Sequence, residues 1–140
     1  MKIVSIAICV FFLFSCQNND PQEQKSKLSG YWEIKSVTFP DGVEKNYSIS
    51  TTIDYIEVKN DSGIRKKVAP KLDGTFTTSN DFEKFVLKIE EDSLRLYYST
   101  PFDSWKETVI LAKDSILKVK NRDAKVYTYK KFRKFSLSEN

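Results

Sequence analysis

The chain has 140 residues, with 23 basic and 19 acidic side chains, a formal net charge of +4 at pH 7 and no histidine. Without histidine, Ser-His and Cys-His catalysis is excluded and a zinc site is disfavoured, because the commonest general base and metal ligand are missing. The small net charge, with both signs interspersed, argues against a nucleic-acid partner. The composition therefore predicts no metal, no cofactor and no bound nucleic acid.

The N-terminal segment predicts export. Lys2 precedes an apolar run over residues 3–14 that only a serine interrupts. This is the length of a secretory signal and is short of the roughly 18 residues that a transmembrane helix needs. Leu13-Phe14-Ser15-Cys16 at its end resembles the bacterial lipobox. The resemblance implies that residues 1–15 are a lipoprotein signal peptide and that Cys16 becomes the acylated first residue of the mature protein.

Acylation would anchor the protein in the cell envelope. Each buried methylene contributes about 0.8 kcal/mol, so three acyl chains make attachment effectively permanent. Gln17 stands where an aspartate would favour retention in the inner membrane, so the predicted location is the outer membrane, in its periplasmic or its surface leaflet. The alternatives are an ordinary signal peptide with a free cysteine near the cleavage site, and a buried N-terminal helix.

Beyond the anchor, the sequence predicts a tether and then strands. Residues 16–29 are polar and predict a flexible tether. Branched and aromatic residues then predict nine strands, at 31–39, 51–60, 63–69, 74–79, 84–90, 93–99, 104–112, 115–121 and 124–132. The links between them are short, which favours antiparallel neighbours.

The predicted fold is therefore all-β, an antiparallel up-and-down meander that closes into a barrel of eight or nine strands. The barrel domain is assigned to residues 30–135, a C-terminal tail to 136–140, and a signal helix precedes both. Closure removes the exposed edges of an open sheet. A membrane-spanning barrel would have to bury many lysines and glutamates in its lumen, so this alternative is disfavoured.

The start of the first strand carries a family resemblance. Leu28-Ser29-Gly30-Tyr31-Trp32 resembles the Gly-x-Trp segment of the lipocalins and is similar to the small lipocalin-like lipoproteins of Bacteroidetes. The resemblance implies that Gly30 and Trp32 close one barrel end and that a late basic residue packs across the tryptophan. Arg133, or Lys131 beside it, would be this cation on the aromatic face. The residues alone are also consistent with Trp32 as an ordinary core residue.

A second group of residues is the candidate ligand site. Trp105, Tyr98 and Phe102 cluster around a turn at Pro101, and Glu107 shares the strand parity of Trp105. These four would grip an apolar cargo at the barrel mouth, although core packing of the aromatic residues is the favoured alternative.

Glu107 also raises the question of acid/base chemistry. Glu57 shares the parity of Ile53 and Tyr55, and with Glu107 it would form an inward carboxylate pair of the kind used in glycoside cleavage. Carboxylates in water at the rim are the favoured alternative, so no catalytic residue and no enzyme activity are predicted.

Two functions are consistent with these sequence features. The first is an outer-membrane lipoprotein whose barrel binds a small apolar or amphipathic ligand. The alternative is a non-catalytic interaction or accessory subunit of an envelope complex, with a barrel filled by side chains. The volume of the inward side chains distinguishes them, because an eight-stranded barrel holds either its own side chains or one small ligand.

Overall fold

A computed structural model describes residues 20–134 of the protein. Helix α1 spans Pro21–Ser26. Ten strands follow: β1 Gly30–Thr38, β2 Glu44–Asn46, β3 Ile53–Lys59, β4 Ser62–Pro70, β5 Phe76–Thr78, β6 Glu83–Glu90, β7 Ser93–Ser99, β8 Ser104–Ala112, β9 Ile116–Lys120 and β10 Val126–Lys131. The predicted signal peptide, Cys16 and the tail at 136–140 lie outside the described residues. No helix within residues 20–134 has the length and apolar character needed to cross a bilayer.

Eight strands form one closed antiparallel barrel. The order around the ring is β1-β3-β4-β6-β7-β8-β9-β10, and β10 pairs back onto β1. Trp32 lies opposite Lys131 where the ring closes, and Phe85 lies opposite Tyr98 between β6 and β7. Two short strands lie off the ring, β2 on the edge of β1 and β5 on the edge of β4. The predicted all-β meander and its closure are confirmed, with eight strands in the ring.

The core lies inside the barrel. Alternate residues of each strand point to the same face, and the inward positions carry large apolar side chains. The buried cluster comprises Leu28, Trp32, Ile56, Phe85, Leu87, Leu94, Leu96, Tyr98, Val109, Ala112, Leu117 and Val119. Burying one such large apolar side chain contributes about 1.5–3 kcal/mol. Residues 20–134 contain no cysteine, so this packing stabilises the described domain without disulfides.

Because neighbouring strands run antiparallel, the connections between them lie at the two ends of the barrel. The β3–β4, β6–β7 and β8–β9 turns meet at one end, which we call the closed end because α1 lies there. Ion pairs connect α1 and its C-cap residue to two of these turns, Lys25 to Asp61 and Lys27 to Asp114. The loops 39–52 and 71–82 and the turns 100–103 and 121–125 meet at the other end, which we call the open end.

Helix α1 corrects the prediction of a flexible tether for residues 20–29. The Asp20 carboxylate accepts a hydrogen bond from the backbone N–H of Gln22 at 3.0 Å, and Pro21 occupies the first turn. Both features start helices, because they satisfy or remove unpaired N–H groups. The side chains of Gln24 and Leu28 are buried against the barrel. Residues 20–29 therefore belong to the folded domain.

The Gly-x-Trp segment forms the closed end as the family resemblance implies. Trp32 is fully buried, and its indole N–H donates to the carbonyl of Leu28 at 2.8 Å. The Lys131 ammonium lies 4.3 Å from the centroid of the Trp32 ring and donates to the carbonyl of Ser29 at 3.0 Å. Gly30 has a φ of +137°, and a Cβ at this position would collide with Lys131. The backbone conformation thus favours glycine here, and a side chain at this position would also displace the Lys131 ammonium that crosses it.

Of the two basic residues predicted as candidates to pack across Trp32, Lys131 takes that place and the choice of Arg133 is wrong. Lys131 is the last paired residue of β10 and lies directly opposite Trp32. Arg133 lies two residues beyond the end of that strand and is exposed. Burial lowers the pKa of Lys131, although the nearby Asp114 opposes this shift.

Candidate binding site at the open end of the barrel

Strand β4 places an arginine inside the barrel. Arg65 pairs with Ile56 of β3 and with Glu83 of β6, which puts its side chain on the inner face. Its Nη2 lies 3.0 Å from Glu83 Oε2, and its Nη1 lies 3.2 Å from Glu107 Oε2 on β8. The guanidinium carbon lies 4.7 Å from the centroid of the Tyr98 ring on β7. One cation therefore links four strands of the wall.

Burial sets the protonation of this cluster. Burial raises the pKa of Glu107, and the Arg65 guanidinium opposes that shift. Burial alone would lower the pKa of Arg65, but the acidic groups around it, Tyr98 and Glu107 first, outweigh burial and raise it. Burial also raises the pKa of Tyr98 well above its ordinary value. Arg65 thus remains a cation and Tyr98 a neutral phenol at neutral pH.

Above Arg65 the barrel opens into a charged pocket of about 360 Å³, which we call the mouth pocket. Arg65, Lys67, Asp54 and Phe82 line it. The Lys67 ammonium lies 2.7 Å from Oδ1 of the buried Asp54. Both signs of charge are present, so this pocket suits a ligand with polar and apolar parts better than a purely apolar one.

Below Arg65 the barrel axis is filled. The cavity bounded by Trp32, Leu96, Tyr98 and Tyr129 has a volume of about 10 Å³, which holds at most one water molecule. The Tyr98 hydroxyl, buried beside this cavity, has no hydrogen-bond partner among residues 20–134. The barrel interior is therefore occupied by its own side chains.

Three of the four predicted ligand-site residues come together. Tyr98 and Trp105 stack with ring centroids 5.0 Å apart and an interplanar angle of 8°. Glu107, on the same strand as Trp105, is 9% exposed and points inward as its parity predicted. Phe102 does not join them and is 96% exposed. It lies in the β7–β8 turn, where strand alternation no longer fixes the direction of a side chain.

The inward pair of Glu107 with Glu57, considered as the less favoured alternative, does not form. Glu57 lies on the outer face of β3, where its carboxylate contacts Lys59 at 3.0 Å and accepts a hydrogen bond from the Tyr55 hydroxyl at 3.1 Å. These two contacts, Lys59 first, lower the pKa of Glu57. The inward carboxylate of β3 is Asp54. Within the described part of the chain, no three His, Cys, Asp or Glu side chains are grouped to hold a metal ion.

Arg65 and Asp54 are the site residues that sequence reasoning missed. The segment Gly63-Ile64-Arg65-Lys66-Lys67 has no clear apolar alternation, so its inner face is ambiguous. The pairing of Arg65 with Ile56 settles the face, and this pairing exists only in the folded barrel.

The fold and the closed end together define a barrel of the lipocalin type, with a Gly-x-Trp start and a basic residue over the tryptophan. The sequence model of the lipocalin-like domain family matches residues 28–119, which is more than half of the chain. The protein belongs to this family, and the predicted resemblance is confirmed.

Comparisons with individual proteins add little to this assignment. The chain is similar to a lipocalin-like protein from Bacteroides uniformis, at 12% identity and a TM-score of 0.47, covering 76% of this chain and 99% of that one. It is also similar to a protein from Bacteroides eggerthii, at 11% identity and a TM-score of 0.46, covering 75% and 99% of the two chains. Among curated proteins, none matches the chain significantly.

Proposed function

We propose that the protein is a non-catalytic lipoprotein of the bacterial outer membrane, anchored by acyl chains on Cys16, whose filled barrel presents its open end to another envelope protein. The filled axis is the observation that carries this proposal. A cavity of about 10 Å³ leaves no space for an apolar ligand, so binding takes place on the surface of the domain.

The position of the proposed anchor supports one orientation of the barrel relative to the membrane. Asp20 caps α1, and α1 lies on the closed end. Cys16 precedes Asp20 by four residues, which span at most about 14 Å when fully extended. With the acyl chains in the bilayer, the closed end faces the membrane and the open end points away from it.

The open end carries exposed apolar side chains that suit a protein partner. Ile49 is 86% exposed, Leu72 is 74% exposed and Phe102 is 96% exposed, and the three lie on separate loops of this end. We call the set the apolar rim, which comprises Val43, Tyr47, Ile49, Leu72, Phe82 and Phe102. Several large apolar side chains at one end of a small domain are typical of an interaction surface.

A small amphipathic ligand is the second candidate, favoured by the mouth pocket. Its volume of about 360 Å³ lies at the lower end of the range for small-molecule sites. Arg65 and Lys67 would meet an anionic group, and Phe82 would contact an apolar part. Such a ligand would lie above Arg65 and would not enter the axis.

Photo-crosslinking in intact cells tests the first candidate. A benzophenone amino acid replaces Phe102 or Ile49, with Lys113 at the closed end as the control position. We expect the two rim positions to give the same light-dependent adduct with one envelope protein, and the control to give none. Equal adducts at all three positions, or none at the rim, would overturn the proposal.

Native mass spectrometry without detergent tests the second candidate. One small molecule retained by the wild-type protein and lost in Lys67→Glu would establish it.

Labelling with an alkyne fatty acid tests the anchor separately. We expect the wild-type protein in the outer-membrane fraction to be labelled and a Cys16→Ala variant to be unlabelled. A labelled Cys16→Ala protein would contradict acylation at this residue.

A further inference from the structure

A concave surface of the described domain lies on the outside of the barrel. Where β3, β4, β6 and β7 run side by side, a groove of about 560 Å³ crosses the outer wall. We call it the wall groove, lined by Glu57, Lys59, Ile64, Lys84, Val86 and Tyr97. The short side chain of Ser62 lies between Lys59 on β3 and Val86 on β6, which leaves space for the depression.

The floor of the wall groove is apolar. Ile64 lies opposite Lys84, and Val86 lies between Ser62 and Tyr97 on the adjacent strands. Val86 is 47% exposed. Outward positions of a barrel that faces water are normally polar, so a contiguous apolar floor at these positions requires an explanation.

Two lysines beside the floor have no acidic partner within the described domain, whereas the other charged lining residues, Glu57 and Lys59, pair with each other. Among residues 20–134, neither Lys84 nor Lys106 forms an ion pair with a carboxylate; Lys84 lies 5.8 Å from the Phe82 ring centroid, and Lys106 lies opposite Tyr97 on β8. The nearby carboxylates are already engaged. Glu57 contacts Lys59, and Glu90 accepts a hydrogen bond from the Tyr97 hydroxyl.

We propose that the wall groove binds one amphipathic anion, with its carboxylate or sulfate group against Lys84 and its apolar body on Ile64 and Val86. The lysines complement the anion, and the floor complements the apolar part. A concave groove of about 560 Å³ fits a single molecule, whereas the surface of a bilayer cannot enter it. The wall groove adjoins the apolar rim at Phe82 but faces the side of the barrel, and the proposal does not depend on the proposed function.

Dodecanoate below its micellar concentration tests the proposal. The barrel closes within residues 30–131, so a form that begins at Gln17 retains the fold. We expect saturable changes in the backbone amide NMR signals of Ile64, Val86 and Tyr97. The cation dodecyltrimethylammonium should leave these signals unchanged.

Matched variants distinguish binding of dodecanoate at Lys84 from a general attraction of the anion to a positively charged protein. Lys84→Glu should weaken dodecanoate binding roughly fivefold, because reversing the charge removes one attraction and adds one repulsion. Lys120→Glu, an equal change of net charge on the outer face of β9, should leave it unchanged. Val86→Ser should weaken binding while keeping the dispersed NMR spectrum of a folded barrel, because Val86 is exposed.

Three results would overturn the proposal. The first is that dodecanoate shifts only residues of the open end. The second is that Lys84→Glu and Lys120→Glu weaken binding equally. The third is that anionic phosphatidylglycerol vesicles bind the protein while monomeric dodecanoate does not. None of these results affects the crosslinking test of the apolar rim.

Discussion

Replacing Arg65 by methionine tests whether the buried cation determines the stability of the barrel. The change keeps a side chain of similar length but leaves Glu107 buried without its cationic partner, with the hydrogen bond from Trp105 remaining. The side chain of Glu83 is 39% exposed, so water can solvate it after the change. Removing one partner of a buried ion pair costs about 3–5 kcal/mol, which corresponds to a fall in melting temperature of roughly 10–20 °C for a domain of this size.

The loss should depend on pH in a defined direction. The pKa of Glu107 is already raised by burial, and without Arg65 to oppose this it rises further. A carboxyl group whose pKa is higher in the folded state contributes stability below its unfolded pKa and loses it as pH rises through the folded value. Arg65→Met should therefore be less destabilising at pH 5 than at pH 8.

Urea unfolding followed by the fluorescence of Trp32 and Trp105 provides the measurement. The control is the double variant Arg65→Met with Glu107→Leu, because replacing a buried ion pair with apolar residues is often neutral or stabilising. We expect the double variant to recover most of the lost free energy of unfolding. A loss below about 1 kcal/mol for Arg65→Met, or a double variant equal to the sum of the two single variants, would refute the reasoning.

Three further changes have definite expected outcomes. Gly30→Ala should lower the free energy of unfolding by about 1–3 kcal/mol. The loss should exceed that of Gly42→Ala, because both glycines have positive φ but only Gly30 faces Lys131. Equal shifts in melting temperature for the two variants would contradict this. Lys27→Met should return the lowered pKa of Asp114 toward its ordinary value in an NMR titration, since the hydrogen bond from Lys27 lowers it; an unchanged pKa would contradict it. Phe102→Ser should change urea stability by less than about 0.5 kcal/mol, and a larger loss would mean that Phe102 packs.

Local pattern predicted the barrel strands well. Eight of the nine predicted segments match the ring strands within a few residues, and the ninth, 74–79, contains β5, which pairs beside the ring. Strand β2 was missed because Glu44–Asn46 is polar and fully exposed, with no alternation. Helix α1 was missed because it lacks an apolar period, although Asp20, Pro21 and Glu23 form a helix start.

The face of a strand was harder to predict than the strand itself. Strand β3 has apolar residues on both parities, Ile53 and Tyr55 on one and Ile56 and Val58 on the other. Only the pairing of Asp54 with Trp32 fixes which parity faces inward. This pairing joins residues far apart in the chain, so local periodicity contains no information about it. The inward direction of the Glu107 side chain could be predicted, because Trp105 and Val109 on the same parity give β8 an apolar face.

The energetics of Arg65 indicate why binding should be external in this lipocalin-like barrel. Below the mouth pocket, the axis is blocked in turn by the Arg65 ion pairs, by Tyr98 and by Trp32. A ligand entering the lumen would first have to break the buried pair, which costs about 3–5 kcal/mol and lowers affinity roughly a hundred- to several-thousand-fold. Binding at the apolar rim or in the wall groove requires no such opening, because those side chains are already exposed to solvent. The ion pairs that close the lumen therefore support the proposal that a partner or ligand binds on the outer surface of the barrel.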